Sequence, residues 1–148
     1  MKQYTIRVYG IVTHNNCVLL SDECVGETYF TKFPGGGHEW GEGISETLNR
    51  EFREELNAEI AECKQFYIAD FFVTSKFDPN KQVISIYYLT KLKHPEKIPA
   101  SNESFDFDHH LKKAESVRWV PIEQLTPETV TFPIDQKALT LFLETGSN

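Results

Sequence analysis

The chain has 148 residues, 40% of them apolar and 13% aromatic, the size and composition of one folded domain with a full core. Its 15 basic and 22 acidic residues give a formal charge of −7, which argues against a general nucleic-acid binder. An anionic substrate would meet a repulsive field, unless a bound divalent cation reverses it locally.

The opening MKQYTIRVYG has no signal-peptide apolar core, and no apolar run approaches spanning length, so no membrane association is expected. Tyr4 to Thr13 alternates and is rich in β-branched and aromatic residues, which predicts a strand. His14-Asn15-Asn16 is a turn signal, and Cys17 to Ser21 reads as the hairpin partner. Asp22 to Glu27 reads as a loop, and Thr28 to Phe33 as a short strand entering the run Pro34-Gly35-Gly36-Gly37. A helix follows. Phe66 to Thr74 and Val83 to Leu92 read as a second strand pair around the turn Asp78-Pro79-Asn80, and the polar stretch Lys93 to Lys113 as a long loop. Val117 to Val120 predicts a brief strand, and Pro121 to Leu125 and Pro133 to Leu143 predict helices opened by proline. Three cysteines, Cys17, Cys24 and Cys63, are odd in number and lack CxxC spacing. A disulfide framework and a zinc ribbon are therefore disfavoured, and a reduced, cytoplasmic setting is expected.

The helix after the glycines carries the strongest signal. With Phe52 at zero and about 100° per residue, Ile44, Leu48 and Leu56 fall near −80°, −40° and +40°, an apolar stripe. Glu55 lies at about −60° and Glu51 at about −100°, inside or beside that stripe, while Glu54 falls near −160° and Arg50 on the far side. Gly43 is a tolerable N-cap with Glu46 at the capping-box position, and Asn57 suits a left-handed C-cap. Like charges four apart destabilise a helix by roughly 0.2–0.5 kcal/mol in water, and more at the margin of a core. A hard divalent cation, Mg²⁺ or Mn²⁺, would convert the repulsion into coordination. The competing reading is a solvated acidic face with Arg50–Glu54 and Arg53–Asn57 pairs on the surface. The glycine run is either a tight turn or a place where backbone approaches a ligand closely, its carbonyls completing a metal shell.

The combined pattern resembles the Nudix box, G-x5-E-x7-R-E-U-x-E-E-x-G-U with U a bulky aliphatic residue. It falls on Gly36, Glu42, Arg50, Glu51, Phe52, Glu54 and Glu55. Asn57 stands where glycine is usual, Ala58 replaces a larger aliphatic, and Phe52 is aromatic where an aliphatic is typical. The resemblance covers most of the chain, including the opening strand pair and the segment RWVPIEQL. It implies an α/β fold, an α/β/α sandwich around a mixed sheet, as a single domain over residues 1–148 with its box at 36–58. It implies magnesium-dependent hydrolysis of a small-molecule nucleoside diphosphate linked to another group X. By position, Glu51 and Glu55 would be primary metal ligands, joined by Glu54 and the Gly35 carbonyl, with Arg50 and Glu42 orienting the cluster. A catalytically silent Nudix domain that senses a nucleotide is the alternative.

The general base is open among Glu51 and four downstream acids, Glu103, Asp106, Asp108 and Glu115, each of which also reads as a solvated charge. His109-His110 could meet a phosphate or simply be exposed, and His38 lacks a second histidine at ligand spacing. Family signatures for particular substrates are missing. No arginine occurs in Leu19 to Phe33, as coenzyme A pyrophosphatases would show upstream of the box. Thr74 stands where ADP-ribose pyrophosphatases often have proline, and Lys76 where diadenosine polyphosphate hydrolases tend to have tyrosine. Tyr67, Phe71, Phe72, Tyr87 and Tyr88 could stack on a base or fill the core, and strand composition favours the core. Substrate-binding residues and X are left unassigned.

Overall fold

The computed structural model describes residues 1–146. Among them, seven strands form one mixed sheet in the order β3-β2-β1-β6-β5, with β4 added on β1 and β7 on β2. They are β1 (Gln3–His14), β2 (Cys17–Val25), β3 (Thr28–Lys32), β4 (Gly35–Gly37), β5 (Ile60–Ile68), β6 (Lys81–Leu92) and β7 (Lys113–Pro121). Only β1 and β6 run parallel, from Gln3↔Lys81 to Val12↔Thr90; the other pairs are antiparallel.

Alternation along the strands sends residues to two cores. Val8 and Val12 of β1 join Leu19 and Tyr88 beneath α1 (Ile44–Leu56), whose Leu48 and Phe52 are fully buried. Burying each such side chain contributes roughly 1.5–3 kcal/mol. Tyr9 and Ile11 face the other way, joining Leu20 and Tyr87 against Ala138 and Leu139 of α2 (Pro133–Leu141) and Phe142 beyond it. The sheet is therefore sandwiched between two helices, as expected. The α1 caps also follow the sequence: the Gly43 N–H donates to Glu46 Oε1 at 3.1 Å, and Asn57 is left-handed at φ 49°.

Several boundaries differ from the sequence reading, each for a tertiary reason. Asp22 to Glu27 is mostly strand, because β2 pairs with β3 on one edge and β7 on the other through Val25. Asp22 itself is fully buried and tolerated because Arg118 Nε at 2.7 Å, Thr31 Oγ1 at 2.7 Å and the Phe105 N–H at 3.2 Å all donate to it. The expected strand Phe66 to Thr74 begins at Ile60 and ends at Ile68, and Thr74 makes only an isolated bridge to Gln82. Pairing with β6 recruits the polar residues before Phe66, which no local pattern marked. The brief strand at Val117 to Val120 extends over Lys113–Pro121, and Pro121 to Leu125 holds only a 3₁₀ turn, Ile122–Gln124. The second helix stops at Leu141 and passes into a π-turn, Phe142–Gly146. No helix among the described residues is long and apolar enough to cross a membrane.

Candidate active site

The glycine run is a strand. Gly35, Gly36 and Gly37 pair with Tyr9, Val8 and Arg7 of β1. Side chains are excluded there for separate reasons. A Cβ on Gly35, whose φ is +147°, would lie 2.1 Å from the Val8 carbonyl oxygen. A Cβ on Gly36 would fall 2.3 Å from the Glu51 carboxyl carbon, so Glu51 occupies the space a side chain would fill. The Glu51 side chain is only 12% exposed.

Arg50 is the hub of the carboxylates. Its Nε donates to Glu42 Oε2 at 2.5 Å, one terminal amine to Glu51 Oε1 at 3.0 Å and Glu54 Oε2 at 3.2 Å, and the other to Glu42 Oε1 at 3.1 Å and the Gly37 carbonyl at 2.8 Å. On the helical wheel Glu54 lies only about 40° from Arg50, as an i,i+4 pair requires, and Glu51 about 100° away. The wheel locates Cα directions, and the long arginine side chain reaches Glu51 as well. The bond from Arg50 holds the Glu42 carboxyl at about 2, helped by Thr47 Oγ1, which donates to it at 2.9 Å. The carboxylates in turn raise the Arg50 pKa above its ordinary value.

This wall faces a cleft of about 910 Å³ lined by Glu51, Glu54 and Glu55 of α1, by the glycine strand, and by residues of β1, β2, β3 and β7. Across it, Glu23 of β2 and Glu115 of β7 are direct cross-strand partners, a like-charge pairing that ordinarily costs stability. Lys32 of β3 answers Glu23 at 3.1 Å, with its side chain 9% exposed. Arg7 of β1 lines the same cleft. Desolvation, then the neighbouring carboxylates Glu55 and Glu23, push the Glu115 carboxyl up to about 8.

Among the described residues no three His, Cys, Asp or Glu groups already converge into a metal cage. The chemistry of the donors nevertheless fits a hard divalent cation: five glutamates line one cleft, and Glu55 and Glu115 sit within hydrogen-bonding reach of each other. Of the downstream acids, Glu115 alone lines the cleft. Asp106 accepts from Ser101 Oγ at 2.5 Å and Asp108 is bonded to His110, both in the exposed loop, where Glu103 also lies. His109 stacks on Tyr29 at 5.4 Å, and His38 is bonded to Thr47 at 2.7 Å. Tyr87 and Tyr88 are buried in the core, Tyr67 is half-buried, and Phe71 and Phe72 are 40% and 72% exposed.

Sequence reasoning missed Arg7, Glu23 and Lys32. A signal existed: Arg7 is in phase with Tyr9 and Ile11 along β1, a charge on a face that points inward.

Comparison with known proteins bears on the fold and the family. No curated protein sequence is significantly similar to the chain. A MutT Nudix hydrolase from Burkholderia pseudomallei superposes with a TM-score of 0.70 at 17% identity, over 95% of this chain and 98% of that one. A Nudix hydrolase from Nitrosomonas europaea gives 0.69 at 18% identity, over 97% and 90%, and an ADP compounds hydrolase 0.60 at 17%, over 95% and 71%. At such identities the likeness is one of fold. The family model of the NUDIX domain matches residues 2–142, nearly the whole chain. With that match and the box residues gathered around one cleft, the chain belongs to the Nudix hydrolase family.

Proposed function

We propose that the chain is a metal-dependent pyrophosphohydrolase that cleaves the diphosphate of a nucleoside diphosphate linked to a further group X, with residues 36–58 as its Nudix box. The observation that carries this reading is the Arg50 hub, which ties Glu42, Glu51 and Glu54 together at the edge of a cleft that Glu55 also lines. Such bracing has no use on a solvated acidic face. Glu51 and Glu55, with Glu54 and the Gly35 carbonyl, would hold Mg²⁺ or Mn²⁺. A bound cation would supply neutralisation of the pyrophosphate and a lowered pKa for water. Arg50 and Glu42 keep the carboxylates oriented, and water attacks phosphorus directly, so no serine or cysteine nucleophile is needed. Glu115 is our candidate for taking the proton of that water, since it lines the cleft beside Glu55; Glu51 is the candidate within the helix. A reducing, cytoplasmic setting is proposed on the three free cysteines.

The test is a panel of nucleoside di- and triphosphates, dinucleotides and nucleotide sugars with Mg²⁺ or Mn²⁺, read by released phosphate or pyrophosphate. Wild type should turn over at least one class, and Glu55→Gln should abolish turnover while melting normally. Mg²⁺ should raise the melting temperature of wild type and less so that of Glu55→Gln. A fully active Glu55→Gln variant sinks the assignment. Tight nucleotide binding with slow turnover, indifferent to chelator, would favour the silent sensor instead.

A further inference from the structure

Three cations line the cleft, Arg7, Lys32 and the exposed Lys113, and the two that are not exposed differ in what they have left to offer. The Lys32 ammonium is fully engaged. It meets Glu23 Oε2 at 3.1 Å, the Phe33 carbonyl at 3.2 Å and the Tyr9 ring at 5.3 Å from its centroid. Arg7 donates through Nε to the Tyr9 hydroxyl at 3.0 Å, and its guanidinium carbon stands 5.8 Å from the Tyr9 ring centroid. Its two terminal amines find no hydrogen-bond partner among the described residues, although the side chain is half-buried. One amine lies beside Gly37, close enough that a Cβ there would come within 3.3 Å. Glu51 is near enough to raise the Arg7 pKa, yet its carboxylate is already bonded to Arg50.

A brace for Tyr9 would explain Nε but not the open fork. A partly desolvated guanidinium with unused donors is costly unless a ligand or water meets them. The planar pair of amines matches two oxygens of a phosphate, a geometry lysine cannot reproduce. Glycine at 37 keeps that face clear. Lys32, held by Glu23, does not compete for the ligand. Charge selects among candidate occupants: a neutral base would leave the guanidinium unpaired, whereas a phosphate satisfies it.

We infer that Arg7 is a substrate-binding residue, its terminal amines taking a phosphate of the substrate in the cleft that Glu51, Glu54 and Glu55 also line, with Tyr9 positioning the fork. This rests on the pyrophosphohydrolase reading for the identity of the substrate. The binding step itself can be tested without turnover.

The experiment compares wild type with Arg7→Gln, Arg7→Lys and Tyr9→Phe in Mg²⁺. Each protein is melted, titrated calorimetrically with inorganic pyrophosphate, and assayed on the best substrate of the panel. Arg7→Gln should weaken pyrophosphate binding and raise KM by about 10- to 100-fold, with kcat within about threefold. Arg7→Lys should recover only part of the affinity, and Tyr9→Phe should fall between wild type and Arg7→Gln. Wild-type affinity and KM in Arg7→Gln overturn the inference, as does a loss confined to kcat. Should Arg7→Gln fail to fold, Arg7→Lys decides, and a wild-type affinity there overturns the inference too. Arg7-dependent pyrophosphate binding in a wild type that hydrolyses nothing leaves this inference standing and removes the hydrolase reading. Turnover that ignores Arg7 does the reverse.

Discussion

Replacing Gly36 by alanine puts a Cβ 2.3 Å from the Glu51 carboxyl carbon and 2.5 Å from both its oxygens. Ordinary carbon contacts are about 3.5–4.0 Å, so the carboxylate must retreat by more than about 1 Å. The retreating atoms are the end of a flexible side chain, so the backbone need not move. The stability cost is then the bond to Arg50, about 1–2 kcal/mol, since Arg50 keeps Glu42, Glu54 and the Gly37 carbonyl. That corresponds to a melting temperature lower by about 3–6 °C. Catalysis is less forgiving, because a displacement of about 1 Å in a positioned group costs on the order of 100-fold. The assay is kcat/KM on the best substrate alongside a thermal melt, with Gly35→Ala as the contrasting variant. There the new Cβ meets the Val8 carbonyl at 2.1 Å on a backbone at φ +147°, so folding rather than chemistry should fail. If Gly36→Ala keeps more than half of wild-type kcat/KM, the Glu51 carboxylate is not part of the working site. If it unfolds as badly as Gly35→Ala, Gly36 serves the backbone and not Glu51.

Further variants probe the bracing and the core. Arg50→Lys keeps the charge but replaces a fork serving three carboxylates and a carbonyl with a point charge. Activity should fall at least about tenfold while the melt drops only several degrees, and an unchanged rate would show that the hub does not orient the cluster. Asp135, 2% exposed, has its carboxyl pushed by burial from 3.8 to about 6, although the Tyr87 hydroxyl donates to it at 2.5 Å. The folded state therefore holds this proton more tightly than the unfolded chain, and wild type should lose about 3 kcal/mol as pH rises from about 3 to 7. Asp135→Asn removes that loss, so urea melts across this range should show the wild-type minus variant difference falling as pH rises. A flat difference would mean Asp135 is ionised throughout.

What could be read from the chain divides along physical lines. The α1 helix, its caps and its apolar stripe depend on residues within four positions of each other, and Leu48, Phe52 and Asn57 behave as their spacing requires. The box places Glu51 and Glu55 on the cleft for the same local reason. Asp22 in mid-strand defeats local reading because its partners are Arg118 and Phe105, far along the chain. Alternation along β1 marks Arg7 as inward-facing, but only the register of β1, β3 and β4 makes that face, and Lys32 with it, part of the cleft. Arg50 shows a third limit: a wheel assigns direction, while a long side chain decides by reach.

The parallel pairing of β1 with β6 bears on how the molecule is made. Gln3 meets Lys81 and Val12 meets Thr90, partners roughly eighty residues apart, so closing this loop carries a large entropic cost before any contact repays it. The glycine strand and α1 lie inside that loop. On a ribosome, the carboxylate helix would emerge well before the strand that completes the sheet beneath it. Folding should accordingly be slow for a domain of this size, with the site assembling late and nearly all at once.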